Sequence, residues 1–286
     1  MTSLWRCRDR SFKWGDRTLI MGIVNVTPDS FSDGGLFYDK GKAIEHAYRL
    51  IADGADIIDA GGASTRPGAD PVPEEVELQR VLTVVQEIAG VGGYPVSIDT
   101  FSYEVAARCL EAGACVINDV TGLQNDLRLA NLAAESGAGL ILMHMRGTPR
   151  TMQSMTDYEN LTEEIRSFFA RQVKAARQIG VSDDQIVLDP GIGFSKTADQ
   201  NLEIIQNLDK VRFDHFPLLL GPSRKSFIGK ITGAEPPHRL YGTIGAAAVG
   251  IMNGADIVRV HDVKENREAA LVVDSIKRGI VINAGG

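Results

Sequence analysis

Four segments of this 286-residue chain repeat one short pattern, and that repetition limits the fold more than any composition figure does. Asp53-Gly-Ala-Asp-Ile-Ile-Asp59, Ala112-Gly-Ala-Cys-Val-Ile-Asn118, Ser136-Gly-Ala-Gly-Leu-Ile-Leu142 and Asn253-Gly-Ala-Asp-Ile-Val-Arg259 share a Gly-Ala step, one spacer and a short apolar run. The glycine suits the left-handed residue just past a helix C-terminus, and the apolar run suits a parallel strand covered on both faces. Thr18 to Val26, Pro95 to Ile98 and Ile186 to Leu188 have similar interiors, and Pro217 to Leu220 makes an eighth strand.

Amphipathic stretches of helical length fill the intervals. Leu161, Ile165, Phe168, Phe169, Val173, Ala176 and Ile179 recur at helical spacing before Gly180. Val105, Ala106, Cys109 and Leu110 do the same between the N-cap candidate Ser102 and Gly113. Asp262 with Glu265 resembles a capping box, and the helix behind it carries Ala269, Val272, Val273 and Ile276. Eight strands, each followed by a helix, predict an α/β fold of the (β/α)8 TIM barrel type, one domain over residues 1–286. The alternative, a doubly wound open sheet, would carry a Gly-rich fingerprint after its first strand, and Gly22-Ile-Val-Asn25 offers none. Leu4 to Arg17, with a Trp14-Gly15-Asp16 turn, is expected to form a hairpin closing the barrel bottom.

The net charge of −7 argues against a broad electrostatic footprint for nucleic acid. The longest weakly polar run, Gly242 to Met252, is far short of the roughly 18 apolar residues that span a bilayer. No apolar stretch of about 7 to 15 residues follows Arg6, Arg8 and Arg10 as in a secretory signal, so a cytoplasmic location is expected. Cys7, Cys109 and Cys115 lack the spacing of a disulfide framework or a structural zinc site.

The chemistry of such a barrel sits where its strands end. Those exits read Asn25, Asp59, Asp99, Asn118 with Asp119, His144, Asp189, Lys225, and Arg259 with His261. Asp59, Asp119 and Asp262 are set aside as candidate helix caps, and His144, between Met143 and Met145, as a packed histidine. Asp99, Asn118 and Asp189 offer mainly acceptors, which suits a flat heterocycle with several N–H donors, such as a pterin or purine edge. Arg259 and His261 share a strand face, and Arg66 follows Ser64 and Thr65 in the second loop, which suits an anion such as phosphate. Two loops look specialised: VTPDSFSDGGLFYDK, from Val26 to Lys40, reads as a lid, and GGASTRPGADPVP, from Gly61 to Pro73, pairs glycine freedom with proline stiffness.

With these segments in view, the chain resembles the dihydropteroate synthases. MGIVNVTPDSFSDGG (Met21 to Gly35), STRPGA (Ser64 to Ala69), SIDT (Ser97 to Thr100), IND (Ile117 to Asp119), LDPGIGF (Leu188 to Phe194), GPSRKSF (Gly221 to Phe227) and RVHDV (Arg259 to Val263) occur in family order. The resemblance implies condensation of 6-hydroxymethyl-7,8-dihydropterin diphosphate with p-aminobenzoate in folate synthesis. It implies a pterin held by Asp99, Asn118, Asp189 and Lys225, with Met143, Phe194 and Gly221 around it. It places the diphosphate on Asn25, Thr65, Arg66, Arg259 and His261, with a magnesium ion on Asn25, and p-aminobenzoate against Phe31, Pro67, Ser226 and Lys225. Asp99, Lys225, Arg66 and Asp33 would serve catalysis. A homodimer and sulfonamide inhibition are implied in the same way.

Ala63 departs from the pattern, since many members carry glutamate there; a change in loop order rather than in chemistry is the expectation. Loss of Arg259 is expected to cripple binding and spare the fold. Two other readings stay open: a pterin-binding methyltransferase of the same superfamily, which needs no diphosphate grip, and a pterin-binding protein without turnover.

Overall fold

A computed structural model describes residues 3–27, 40–64 and 68–279. Its centre is an eight-stranded parallel sheet of β3 (Leu19–Asn25), β4 (Ile57–Gly61), β5 (Val96–Asp99), β6 (Val116–Asp119), β7 (Gly139–Met143), β8 (Ile186–Asp189), β9 (Leu219–Leu220) and β10 (Ile257–Val260). Strands neighbour one another in chain order, β10 returns to pair with β3, and a bridge from Leu188 to Leu218 joins β8 to the β9 segment. The sheet closes on itself. Around it lie α1 (Lys40–Ala52), α2 (Glu74–Val85), α3 (Tyr103–Glu111), α4 (Arg128–Ser136), α5 (Leu161–Ile179), α6 (Ala198–Gln206), α7 (Leu208–Val211), α8 (Ser226–Thr232), α9 (Leu240–Met252) and α10 (Val263–Arg278). This is the (β/α)8 barrel that the repeated Gly-Ala pattern predicts. Among the described residues, no helix is long and apolar enough to cross a membrane.

Strand alternation divides the interior. Ile20, Ile58, Ile98, Ile117, Leu140, Leu142, Leu188 and Val258 face the helices in one continuous apolar layer. Leu19, Met21, Ile57, Val116, Ile141, Val187, Leu219 and Ile257 form a separate cluster inside the barrel floor. The N-terminal hairpin, β1 (Leu4–Cys7) and β2 (Arg10–Lys13), adds Trp5 and Cys7 to that inner cluster. The hairpin therefore plugs the bottom as expected, although its turn lies at Arg8 and Asp9, with Arg8 left-handed at φ 62, and not at Trp14-Gly15-Asp16. Trp5 donates its indole N–H to the Gln185 carbonyl at 2.9 Å. Gly139 is required below the plug, because a Cβ there would lie 2.6 Å from Cys7 Sγ.

Two helix expectations hold: Ser102 caps α3 by accepting the Val105 N–H, and Gly180 ends α5 in the left-handed region. Two do not. Asp262 makes no side-chain cap for α10, because its carboxylate is taken by Arg224 at 2.6 and 3.2 Å. The inward face of α10 is Val263, Asn266, Ala270 and Asp274, whereas Val272 and Ile276 are exposed. Asp274 decides this rotation: it accepts the backbone N–H of Thr18 at 2.7 Å and its hydroxyl at 2.9 Å, tying the helix to the start of β3.

Truncating the plug tests its role. Trp5→Ala removes a fully buried indole and its hydrogen bond, and is expected to cost about 3–5 kcal/mol in denaturant unfolding. A loss below about 1 kcal/mol would show that the floor is stable without it.

Candidate active site

The strand parity that puts an apolar residue in the floor puts a polar one at the C-terminal rim two positions on. Val116 is followed by Asn118, Val187 by Asp189 and Ile257 by Arg259. Register aligns Asn25 with Gly61, Gly61 with Asp99, and Asp99 with Asn118, so these ends stand at one level. Met143 pairs with Asp189, and with Val120, Met145, Met152 and Phe194 it builds a small apolar wall beside the polar cluster.

Arg259 organises the centre. Its Nε donates to Asp59 at 2.6 Å and its Nη2 to Asp99 at 2.7 Å, while the Asn118 amide donates to both Asp59 oxygens at 3.4 and 3.2 Å. Asp59 is fully buried and belongs to this network. It is not a helix cap, and its strand parity, two residues before the rim glycine Gly61, is the signal that places it. Burial drives the Asp99 carboxyl up to about 7; Arg259 opposes this and the Asp59 charge adds to it. Burial pulls the Arg259 guanidinium down, but Asp59 and Asp99 more than offset this, and its pKa lies above the ordinary value. Asp99 Oδ1 is buried without a hydrogen-bond partner among the described residues. Such an oxygen costs free energy until a donor meets it.

Asp189 sits within the same electrostatic field, with Lys225 and Arg259 both lowering its pKa, so the acceptor-rich and cationic halves share one rim. Burial nevertheless raises it to about 6, against the N–H of Gly191, which donates at 2.7 Å. Gly191 is left-handed, and a Cβ there would lie 2.1 Å from the His144 carbonyl, so glycine alone fits. The Lys225 ammonium lies 4.2 Å from the Phe194 ring centroid, and burial lowers its pKa to about 8. His144 is the packed histidine the sequence suggests. Its Nδ1 lies 3.0 Å from Lys196 Nζ, which also donates to the Phe194 carbonyl at 3.0 Å. Sequence reasoning missed Lys196, whose role depends on His144, 52 residues earlier in the chain.

On the opposite side, the Asn25 Nδ2 lies 3.3 Å from His261 Nε2, and Ser223 Oγ lies 2.8 Å from His261 Nδ1. Gly221 follows β9, and Ser226 is exposed at the first position of α8. Ala63 is half-buried beside Gly62, whose carbonyl accepts from Arg80 at 2.8 Å. Phe31, Asp33, Thr65, Arg66 and Pro67 lie outside the described residues, as does most of the lid-like stretch.

A cavity of about 720 Å³ also opens at the other end of the barrel, beside Arg6, Arg8 and Arg10. Those arginines are committed to structure: Arg6 pairs with Asp184, Arg8 donates to the Leu110 and Ala114 carbonyls, and Arg10 donates to Gly93. The rim is the site.

Residues 21–261 match the pterin binding enzyme family. Over 268 residues the chain is 48% identical to a dihydropteroate synthase of Synechocystis, covering 93% of each protein. The chain belongs to the dihydropteroate synthase family. A dihydropteroate synthase structure from Clostridium difficile, solved in the presence of pteroic acid, superposes with a TM-score of 0.88 at 45% identity, over 93% of this chain and 99% of that one. The Yersinia pestis dihydropteroate synthase in complex with a sulfonamide drug gives a TM-score of 0.90 at 38% identity, over 96% of this chain and 99% of that one.

In this dihydropteroate synthase family member, Arg259 is a structural counter-charge as well as a rim cation, which changes the expectation for its loss. Arg259→Ala leaves Asp59 buried and unpaired, a change expected to cost about 3–5 kcal/mol. Without the guanidinium the folded-state pKa of Asp99, already about 7, rises further. A carboxyl whose folded pKa lies above its unfolded one loses stability as pH climbs towards the folded value. The deficit relative to wild type should therefore grow as pH rises above about 7, where Asp99 ionises in the folded wild type but not yet in the variant. Urea unfolding at a series of pH values reads it, and a pH-independent deficit would contradict the ion-pair account.

Proposed function

We propose that the protein condenses 6-hydroxymethyl-7,8-dihydropterin diphosphate with p-aminobenzoate, giving 7,8-dihydropteroate and diphosphate, in the cytoplasm. The observation that carries this reading is the buried Asp99 oxygen beside Arg259 that has no partner among the described residues, an acceptor and a cation within one ligand's reach. Asp99, Asn118 and Asp189 accept the N–H groups of the pterin edge, while Met143, Phe194 and Gly221 enclose its faces and Lys225 donates to it. Arg259, His261 and Asn25 meet the diphosphate, with Thr65 and Arg66 from the second loop. Phe31, Pro67, Ser226 and Lys225 line the p-aminobenzoate side.

The C–O bond at the pterin methylene breaks with its electron pair leaving on diphosphate, whose growing charge is met by preorganised cations and N–H donors. The carboxylate of Asp99 favours the methylene cation that remains. The aniline nitrogen then forms the C–N bond and loses a proton. Asp33 and Arg66 belong to the loops that would exclude water. No enzyme nucleophile is required. Asn25 fits a magnesium ion: with Nδ2 turned to His261, its one side-chain oxygen is a hard donor, and this cation commonly takes one or two protein oxygens beside substrate phosphates. When bound, the ion would neutralise charge on the leaving diphosphate.

A homodimer is part of the proposal. On α9, Tyr241, Val249 and Met252 are exposed at helical spacing along a helix without a charged residue, and the adjoining α10 exposes Leu271, Val272 and Ile276. A helix apolar all round is normally covered, and a second copy of this chain is the proposed cover. Val272→Glu should convert dimers to monomers in sedimentation velocity, and a monomeric wild type would overturn the assembly.

Diphosphate and dihydropteroate measured together test the chemistry. Both should appear in equal amounts when p-aminobenzoate is present; no diphosphate either with or without p-aminobenzoate would favour the methyltransferase or the inert binder. Pterin affinity by calorimetry should weaken as pH falls through the values of about 7 and about 6 that burial sets for Asp99 and Asp189, because protonation removes acceptors. An affinity unchanged across that window would remove both carboxylates from the pterin site.

A further inference from the structure

The turn after β8 carries two groups that a pterin would meet, the Asp189 carboxylate and the Phe194 ring, and Lys196 closes it from behind. Asp189 Oδ1 accepts the Gly191 N–H at 2.7 Å, the Gly191 carbonyl accepts the Phe194 N–H at 3.1 Å, and the Phe194 carbonyl accepts from Lys196 Nζ at 3.0 Å. A short relay of hydrogen bonds thus joins the ammonium to the carboxylate. The same ammonium reaches the loop after β7, donating to the His144 carbonyl at 3.4 Å and standing 3.0 Å from His144 Nδ1. The His144 N–H in turn donates to the Asp189 carbonyl at 2.8 Å. A Cβ on Gly191 would lie 3.4 Å from Lys196 Nζ, so the ammonium rests directly on the turn.

Ser195, between Phe194 and Lys196, is left-handed at φ 47. Its hydroxyl oxygen accepts the Arg146 N–H at 2.9 Å, and its carbonyl accepts the Tyr158 hydroxyl at 3.0 Å. A non-glycine residue in that conformation persists only where its surroundings over-determine it. Lys196 is itself 3% exposed, and among the described residues its contacts are two carbonyls and one imidazole nitrogen, with no carboxylate in an ion pair. A buried cation without a counter-charge in contact is costly, and an apolar side chain of similar length would fill the space without that cost. What the ammonium adds is direction and charge. It lowers the pKa of Asp189 together with Lys225 and Arg259, while Asp189 supports the ammonium against burial and against the charges of Arg146 and Lys225.

We propose that Lys196 is a positioning residue for the pterin: from behind the turn it fixes the Asp189 carboxylate and the Phe194 ring in one arrangement and favours the ionised carboxylate, acting through these two residues and not by contact. This deepens the pterin reading of the rim and rests on it.

Lys196→Met and Lys196→Gln test the assignment with 6-hydroxymethylpterin as the probe. Methionine removes both donor and charge and should weaken pterin binding about tenfold, whereas glutamine keeps a donor for the Phe194 carbonyl and should recover part of that loss. Inorganic diphosphate should bind all three proteins equally. The carboxyl ¹³C titration of Asp189, identified by the signal missing from Asp189→Asn, should move upward from about 6 in both variants, because neither carries the charge. A side chain that only packed would leave it in place. Undiminished pterin affinity in a folded Lys196→Met protein, or an Asp189 titration unchanged in both variants, overturns the proposal and leaves the function standing. So does an equal loss for both probes or the failure of both variants to fold, since either makes the ammonium a requirement of the barrel and not of the pterin site. A wild-type protein that binds no pterin overturns the reading of the rim, and this proposal with it.

Discussion

The guanidinium of Arg259, caught between Asp59 and Asp99, is the interaction on which the rest of the site depends. Two carboxylates meet one guanidinium inside a barrel, where a buried charge without a counter-charge is costly. One buried cation lets them carry charge, and the Asn118 amide shares the Asp59 end. Replacing such a cluster with apolar residues would often be neutral or stabilising, so its presence at the rim points to function rather than to stability. Asp99 keeps one oxygen outside the ion pair, and that oxygen is the acceptor left for a ligand.

The same parity rule explains both what a reader of the chain can find and what escapes. The Gly-Ala repeats place the strands because a helix stop and a buried run are local in sequence. Asn118, Asp189 and Arg259 are legible as strand exits for the same reason. Asp59 is harder to place, because an aspartate near the end of an apolar run has the same local signature as a helix cap. Only the position of Gly61, two residues further on at the rim, separates the two. Asp262 fails in the opposite direction. It has the spacing of a capping box, but Arg224 takes its carboxylate from a loop 38 residues earlier. The face of α10 is likewise set by Asp274 reaching back to Thr18 across 256 residues, and apolar periodicity on the helix carries no trace of that contact.

Stability and chemistry occupy opposite ends of the barrel. At the bottom, arginines are consumed by backbone carbonyls and by Asp184, and Trp5 seals the floor. At the rim, cations face carboxylates that are held partly short of full ionisation. This division follows from strand direction: every parallel strand delivers its last inward residue to the same end, where helix N-termini and long loops also gather. A cluster assembled from five strands can therefore vary in its loops without disturbing the floor that holds it.

Two lysines beside the rim, Lys196 buried and Lys225 half-buried, show how neighbouring groups of one type come to do different work. Burial lowers both, Lys225 to about 8 and Lys196 to about 7. Lys196 spends its hydrogens on the Phe194 and His144 carbonyls and on His144 Nδ1. It stitches the loop after β8 to the loop after β7 and holds Phe194 in the wall. Lys225 lies over the Phe194 ring that Lys196 fixes, in the joint field of Asp99 and Asp189. The first lysine sets the position of the aromatic face and the second uses it. The two ammonium groups share no hydrogen-bond partner among the described residues, but each lies in the field of the other, so a charge change at Lys196 would be felt at Lys225.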